Sequence, residues 1–175
     1  MDNSGLKIRP FNADDANVFY RWYHLDELKP YFRGFIGGMS LEQCAQAPKY
    51  MRAHLLVLTD GTNYNEELYG LASFADTDLI TKSYKFGIFV EPGHHNKGIG
   101  ATFTKKAIQW AFETMNADRV FAELLAANDF LNRAAQKYGF TLEGKKRKSC
   151  FFEGQLQDEL VYSITREDYQ RGLYG

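Results

Sequence analysis

The pattern of hydrophobic and polar positions changes period along the chain, and the changes predict its elements. Leu6 and Ile8 before Pro10 read as a short first strand. Asn12, with Asp14 and Asp15 in the first turn, opens a helix to about His24 that carries Ala16, Phe19, Tyr20 and Tyr23 at helical spacing. A loop rich in rings and glycines covers residues 26–38. Ser40 with Gln43 is a capping-box pattern that starts a second short helix at Leu41, which Pro48 is expected to break. The chain then turns β-like. Residues 54–59, 68–74 and 84–90 are apolar runs, the first followed by the turn signal Asp60-Gly61, and they predict an antiparallel meander. Residues 99–115 return to helical spacing, residues 119–125 are strand-like, and Asn128 caps a helix to Tyr138 that Gly139-Phe140 stops. Residues 148–152 and 160–164 close the chain as a hairpin around Glu153-Gly154. This order predicts an α/β (α+β) fold with about seven strands and about four helices. No linker, repeat or low-complexity tract interrupts it, so residues 1–175 are expected to form one domain.

Composition narrows the function classes. A chain of 175 residues buries a core without needing metal or disulfide. Its 21 Lys+Arg against 22 Asp+Glu remove a global drive toward nucleic acid or an anionic membrane, and neither is expected as a partner. No run approaches the ~20 apolar residues of a membrane helix, so the expected location is cytoplasmic. Cys44 and Cys150 lack CxxC spacing and read as reduced thiols, and no metal is expected. The 15% aromatic share is high, and rings are expected in an acceptor cleft or partner face as well as in the core. The basic run Lys145-Lys146-Arg147-Lys148 reads as a solvated strand approach or as a docking patch.

The sharpest local feature runs from Phe89 to Ala101, where a strand ends, a glycine-bearing turn follows and an amphipathic helix begins. Gly98 and Gly100 let backbone N–H groups approach an anion, the helix start adds partial positive charge, and Lys97 adds a full one. Neither a P-loop nor a GxGxxG fingerprint is present. A strand-to-helix turn that binds nothing has the same local sequence.

His95-Asn96-Lys97-Gly98-Ile99-Gly100-Ala101, after Val90-x-Pro92, resembles the acyl-CoA pyrophosphate loop of the GNAT acetyltransferase superfamily, Arg/Gln-x-x-Gly-x-Gly-Ala/Gly. His95 replaces the usual Arg or Gln. A second stretch, 128–140, is similar to the family's Asn-led helix ending in Gly-Phe; many members carry a Tyr acid where this chain has Ala135. That substitution, the opening segment 6–32 and the closing segment 152–164 resemble the branch that acetylates ribosomal-protein N-termini. The closing segment also resembles polyamine and nucleotide-sugar acetyltransferases. The resemblance implies a GNAT fold, a central mixed but mostly antiparallel sheet, acetyl-CoA as co-substrate, and direct transfer to a primary amine of a protein N-terminus, a Lys or a small molecule.

It also implies site residues. The donor is expected at Phe89, Val90, His95, Asn96, Lys97, Gly98, Ile99, Gly100, Ala101 and Asn128. A backbone N–H around Phe89 and Val90 would polarise the thioester, and pantetheine would enter where the fourth and fifth strands splay. Glu123, the ionisable residue of an apolar strand, is the first choice of base, its pKa expected to be raised by burial. Glu91, His94 and His95 are alternatives, and Tyr138 and Tyr84 are candidate acids. Asp26, Tyr31, Phe32, Phe35 and Tyr84 are expected to bind the acceptor, with Trp22 nearby. The enzyme is expected to act as a monomer or homodimer. A catalytically silent acyl-CoA-binding or scaffolding module on the same fold is the alternative.

Overall fold

A computed structural model describes residues 3, 5–25, 39–61, 66–78 and 80–172, with only the backbone at 76 and 77. Asp26, Tyr31, Phe32 and Phe35 therefore lie outside the described residues. Seven strands form one mixed sheet in the order β1-β2-β3-β4-β5-β7-β6. They are β1 Lys7–Pro10, β2 His54–Thr59, β3 Leu68–Asp78, β4 Ser83–Val90, β5 Arg119–Leu125, β6 Thr141–Phe152 and β7 Gln155–Thr165. Among the described residues the α-helices are α1 Ala16–His24, α2 Leu41–Ala45, α3 Ala47–Met51, α4 Ile99–Glu113, α5 Asp129–Lys137 and α6 Arg166–Gln170. The strands match the expected number, and the two extra helices are short.

Packing divides the chain into two compact units, residues 1–73 with 88–100 and residues 74–87 with 101–175. The chain passes between them inside β3, inside β4 and in the first turn of α4. Hence no linker marks the change, and the sequence reads as a single domain.

In the first unit β1 pairs antiparallel with β2, from Lys7↔Thr59 to Pro10↔Leu56. Asn12 caps a 3₁₀ turn that leads into α1: its side chain accepts the Asp14 N–H at 2.8 Å while the Asp15 carboxylate accepts the Asn12 N–H at 2.8 Å. Asp15 is buried, and Arg9 neutralises it with two hydrogen bonds of 2.7 and 2.8 Å. Phe19, Trp22 and Tyr23 on α1 enter a core shared with Phe11, Val57 and Leu71. Each such ring, fully buried, contributes roughly 1.5–3 kcal/mol. Trp22, expected near the acceptor, is 2% exposed and is a core ring, as is Tyr23 at 4%. Pro48 does not end a helix. It sits in the first turn of α3, where a missing N–H costs nothing.

In the second unit α4 buries Phe103, Ala107, Ile108, Ala111 and Phe112 on one stripe. β5 pairs antiparallel with β7 along its whole length, Arg119↔Thr165 to Leu125↔Glu159. Its parallel ladder to β4 is short and ends at Lys85↔Phe121. The closing hairpin is longer than expected, because β6 begins at Thr141 and is irregular between Leu142 and Gly144 and between Lys146 and Cys150. Nearly every β6 side chain is exposed, so no alternation of apolar and polar residues announces the strand. α5 ends as Gly139-Phe140 predicts. Gly139 has φ +81°, its N–H donates to Gln136 and that of Phe140 to Ala135, both at 3.0 Å.

Candidate functional site

The first unit holds the glycine-bearing turn. Pro92–His94 forms a 3₁₀ turn directly after β4, and left-handed residues flank Lys97: Asn96 at φ +60° and Gly98 at φ +73°. Left-handed residues breaking a right-handed chain are the backbone pattern that gathers N–H groups into an anion-binding concavity. The turn is fixed by its own side chains. His95 Nε2 donates to the Val90 carbonyl at 2.8 Å, and Lys97 Nζ to the Gly93 carbonyl at 2.8 Å. Ile99, 1% exposed, anchors the start of α4. A Cβ at Gly98 would stand 3.3 Å from Asn3 Nδ2, whereas one at Gly100 would meet nothing closer than Val90 Cγ2 at 3.8 Å. A Cβ would thus fit at Gly100 in ordinary contact with Val90, so no contact among the described residues dictates a glycine at this point of the helix start.

His94 braces the turn from behind. Its Nε2 lies 3.3 Å from Glu67 Oε1 and 3.4 Å from Glu91 Oε2, and Tyr69 meets its ring edge-on with centroids 4.7 Å apart. Tyr69 donates to Glu67 Oε2 at 3.0 Å; burial, followed by this carboxylate, pushes its phenol pKa up. Phe89, on β4, packs edge-on against Trp22 at 5.2 Å.

The second unit holds the remaining named residues. Glu123 Oε2 accepts from Lys85 Nζ at 2.9 Å and Oε1 from Lys146 Nζ at 2.6 Å, with 14% of the side chain exposed. Burial alone raises its pKa, but the two ammonium groups outweigh burial and hold the carboxyl below the usual glutamate range. The expected upward shift is therefore reversed, and one of the two partners responsible, Lys85, carried no signal in the sequence. Lys146 is raised in turn by its bond to Glu123. Lys145 pairs with Asp158 at 2.6 Å, so the first two residues of the basic run are neutralised within the fold.

Asn128 is the N-cap of α5, and its Oδ1 accepts the Leu131 N–H at 3.0 Å. Asn132, one turn on, is buried and donates from Nδ2 to the carbonyls of Leu125 and Ala126. Tyr138 is half-buried, and burial raises its pKa, which makes it a poorer acid. Tyr84 is 7% exposed on β4, a core ring with little surface to offer an acceptor. Ala135, which the sequence places where similar acetyltransferases carry a Tyr acid, is buried. Among the described residues no group of three His, Cys, Asp or Glu is placed to hold a metal.

Residues 6–141 match the family model of the acetyltransferase (GNAT) domain. A provisionally named ribosomal N-acetyltransferase of Bacillus subtilis strain 168, YdaF, is 26% identical over 110 residues, 63% of this chain and 60% of that protein. The spermidine N(1)-acetyltransferase of Vibrio cholerae is 26% identical over 104 residues, 59% of this chain and 60% of that one. The match thus spans about three fifths of either relative's length. The crystal structure of spermidine N-acetyltransferase from Vibrio cholerae in complex with CoA and spermine superposes with a TM-score of 0.85 at 20% identity, covering 96% of this chain and 99% of that one. At that identity the likeness establishes a shared fold.

Proposed function

Because this chain belongs to the GNAT acetyltransferase family, we propose that it is an acetyl-CoA-dependent N-acetyltransferase that passes the acetyl group directly to a primary amine. The observation that carries this reading is the turn after β4, with left-handed residues at 96 and 98 and glycines at 98 and 100, opening the fifteen-residue helix α4. Acetyl-CoA, when bound, supplies the activated acyl group. The 96–101 turn and helix start hold its pyrophosphate, and β4 around Phe89 and Val90 offers the backbone donor that polarises the thioester carbonyl. The amine nitrogen attacks the carbonyl carbon, the C–S bond breaks, and the thiolate leaves.

Two protons need a path. Glu123 is ionised, the state a base requires, and accepts the proton of the attacking amine; Lys85 and Lys146 lower its basicity, so its contribution is modest. Tyr138 holds its proton tightly, and water protonates a thiolate whose parent pKa is about 8.5. Among acceptors, polyamines lead because a relative and a structural neighbour are spermidine acetyltransferases, and ribosomal-protein N-termini follow through YdaF.

A silent acyl-CoA-binding module is the second reading, favoured by Ala135 and by the double neutralisation of Glu123. One experiment separates them. Thiol release from acetyl-CoA is followed across spermidine, spermine, N-terminal peptides of ribosomal proteins, a Lys peptide and an aminoglycoside. Acceptor-dependent thiol is the expected result. A melting temperature raised by acetyl-CoA with no thiol from any acceptor establishes the silent module, and no change in melting temperature removes both readings.

A further inference from the structure

The peptide between Lys97 and Gly98 is held from outside its turn. Asn3, half-buried ahead of β1, donates from Nδ2 to the Lys97 carbonyl at 2.9 Å, across 94 positions of sequence. Its own backbone is tied toward the sheet: the Asn3 carbonyl accepts the Leu6 N–H at 3.2 Å, one residue before β1 begins beside the end of β2 at Lys7↔Thr59. Exchanging the amide oxygen and nitrogen of Asn3 would set an oxygen against the Lys97 carbonyl oxygen, so the orientation is fixed. The Asn3 Oδ1 is buried and has no hydrogen-bond partner among the described residues. The side chain thus gives up hydration at one end while it makes this bond at the other.

The turn does not fix that peptide by itself. The side chains of His95 and Lys97 bond to the carbonyls of Val90 and Gly93, both upstream of it. Gly98 stands at φ +73°, but a glycine takes either sign of φ about as readily, so its identity leaves the orientation open. In a trans peptide the C=O and the following N–H point to opposite sides. With the Lys97 oxygen turned onto Asn3, the far side of the peptide is its N–H edge; a flipped peptide would present the carbonyl oxygen there. An anion is drawn to the first and repelled by the second.

We propose that Asn3 is a positioning residue for the pyrophosphate cradle: by holding the Lys97 carbonyl it keeps the 97–98 peptide in its anion-binding orientation before the acyl donor arrives. The inference rests on the acyl-CoA reading above and goes beyond it, since it assigns the preorganisation of the turn to a residue outside 89–101. Without the Asn3 amide the turn divides between two peptide orientations, and affinity falls in proportion to the fraction that remains competent.

Three measurements on wild type and Asn3→Leu test it. Two are calorimetric titrations, with CoA and with 3′-phosphoadenosine 5′-diphosphate, which keeps the pyrophosphate and lacks the pantetheine arm. The third is the Gly98 amide resonance of each unliganded protein. The variant is expected to bind both ligands about fivefold more weakly, because the cradle serves the pyrophosphate they share. Its Gly98 amide is expected to move and broaden between two orientations and to sharpen at saturating CoA. Binding unchanged for both ligands, or weakened for CoA alone, overturns the proposal. A Gly98 resonance that stays where it is in wild type also overturns it, and leaves Asn3 a tie that steadies the start of β1. Wild type that binds neither ligand removes the acyl-CoA reading itself. Should Asn3→Leu fail to fold, Asn3→Ala, which removes the same donor and adds no bulk, is read by the same outcomes.

Discussion

The turn after β4 and the carboxylate on β5 are two ways of building a site. The turn is shaped by its own neighbourhood: His95 bonds back five residues to Val90, Lys97 four residues to Gly93, and the left-handed bends sit at Asn96 and Gly98. Glu123 is defined by partners 38 residues before it and 23 after it, delivered by β4 and β6. A site made of backbone conformation travels with a short stretch of sequence. The chemistry of a side chain on a strand is set by whatever the sheet places beside it, and here two lysines reverse the shift that burial alone would give.

The largest effect is expected at the turn. In Gly98→Val a β-branched side chain must adopt φ +73° and set its Cβ 3.3 Å from Asn3 Nδ2. The left-handed conformation alone costs about 1–2 kcal/mol in a residue with a Cβ. The turn is expected to change shape, lowering the melting temperature and weakening CoA binding about a hundredfold in calorimetry. Binding as tight as in wild type would show that the turn is not the phosphate cradle, and the contrast with Glu123 would lose its first half.

The same contrast explains what could be read in advance. The strand-turn-helix at 89–101, the Asn128 cap and the Gly139 stop were legible because each is a local agreement between residue type and backbone conformation. The trend of the Glu123 pKa was not, since nothing in an apolar β run says which lysine a neighbouring strand will present. Asn132 gave no signal either: a polar residue at the fourth position of a helix looks solvated, and only the fold shows its amide turned onto Leu125 and Ala126. β6 exceeds its expected length because its exposed residues carry no alternation, and the sequence hides the start of α3 at Ala47, just before Pro48, because that start has no strong cap. Aromatic composition likewise does not separate cleft from core: Trp22, Tyr23 and Tyr84 are all buried.

The intermediate effect belongs to Glu123. An unencumbered general base contributes about 10²- to 10⁴-fold, whereas a carboxylate held by two lysines is expected to lose only about tenfold in kcat/KM as Glu123→Gln. A loss near the upper end would mean that the lysines release it when the acceptor binds, and no loss would remove it from the proton path. Stability separates the two roles. The folded carboxyl titrates below its unfolded value, so its stabilisation is fully present above the ordinary glutamate range and is lost as pH falls through the lower folded-state pKa. The difference in denaturation free energy between wild type and Glu123→Gln is therefore expected to be constant at neutral pH and to shrink through that acid window.

The smallest effect is the sharpest probe of the turn. Gly100 lies in the first turn of α4, where alanine is a better helix former by up to about 1 kcal/mol, and the added Cβ meets Val90 Cγ2 at an ordinary 3.8 Å. Among the described residues no steric contact therefore requires a glycine there. Gly100→Ala is expected to keep or slightly raise the melting temperature while weakening CoA binding about three- to tenfold, because a phosphate lying on bare backbone must withdraw from a methyl group. A variant that is more stable and binds CoA unchanged would confine the cradle to Gly98 and the residues before it. One that is more stable and binds more weakly would show that position 100 is glycine for the ligand and not for the fold.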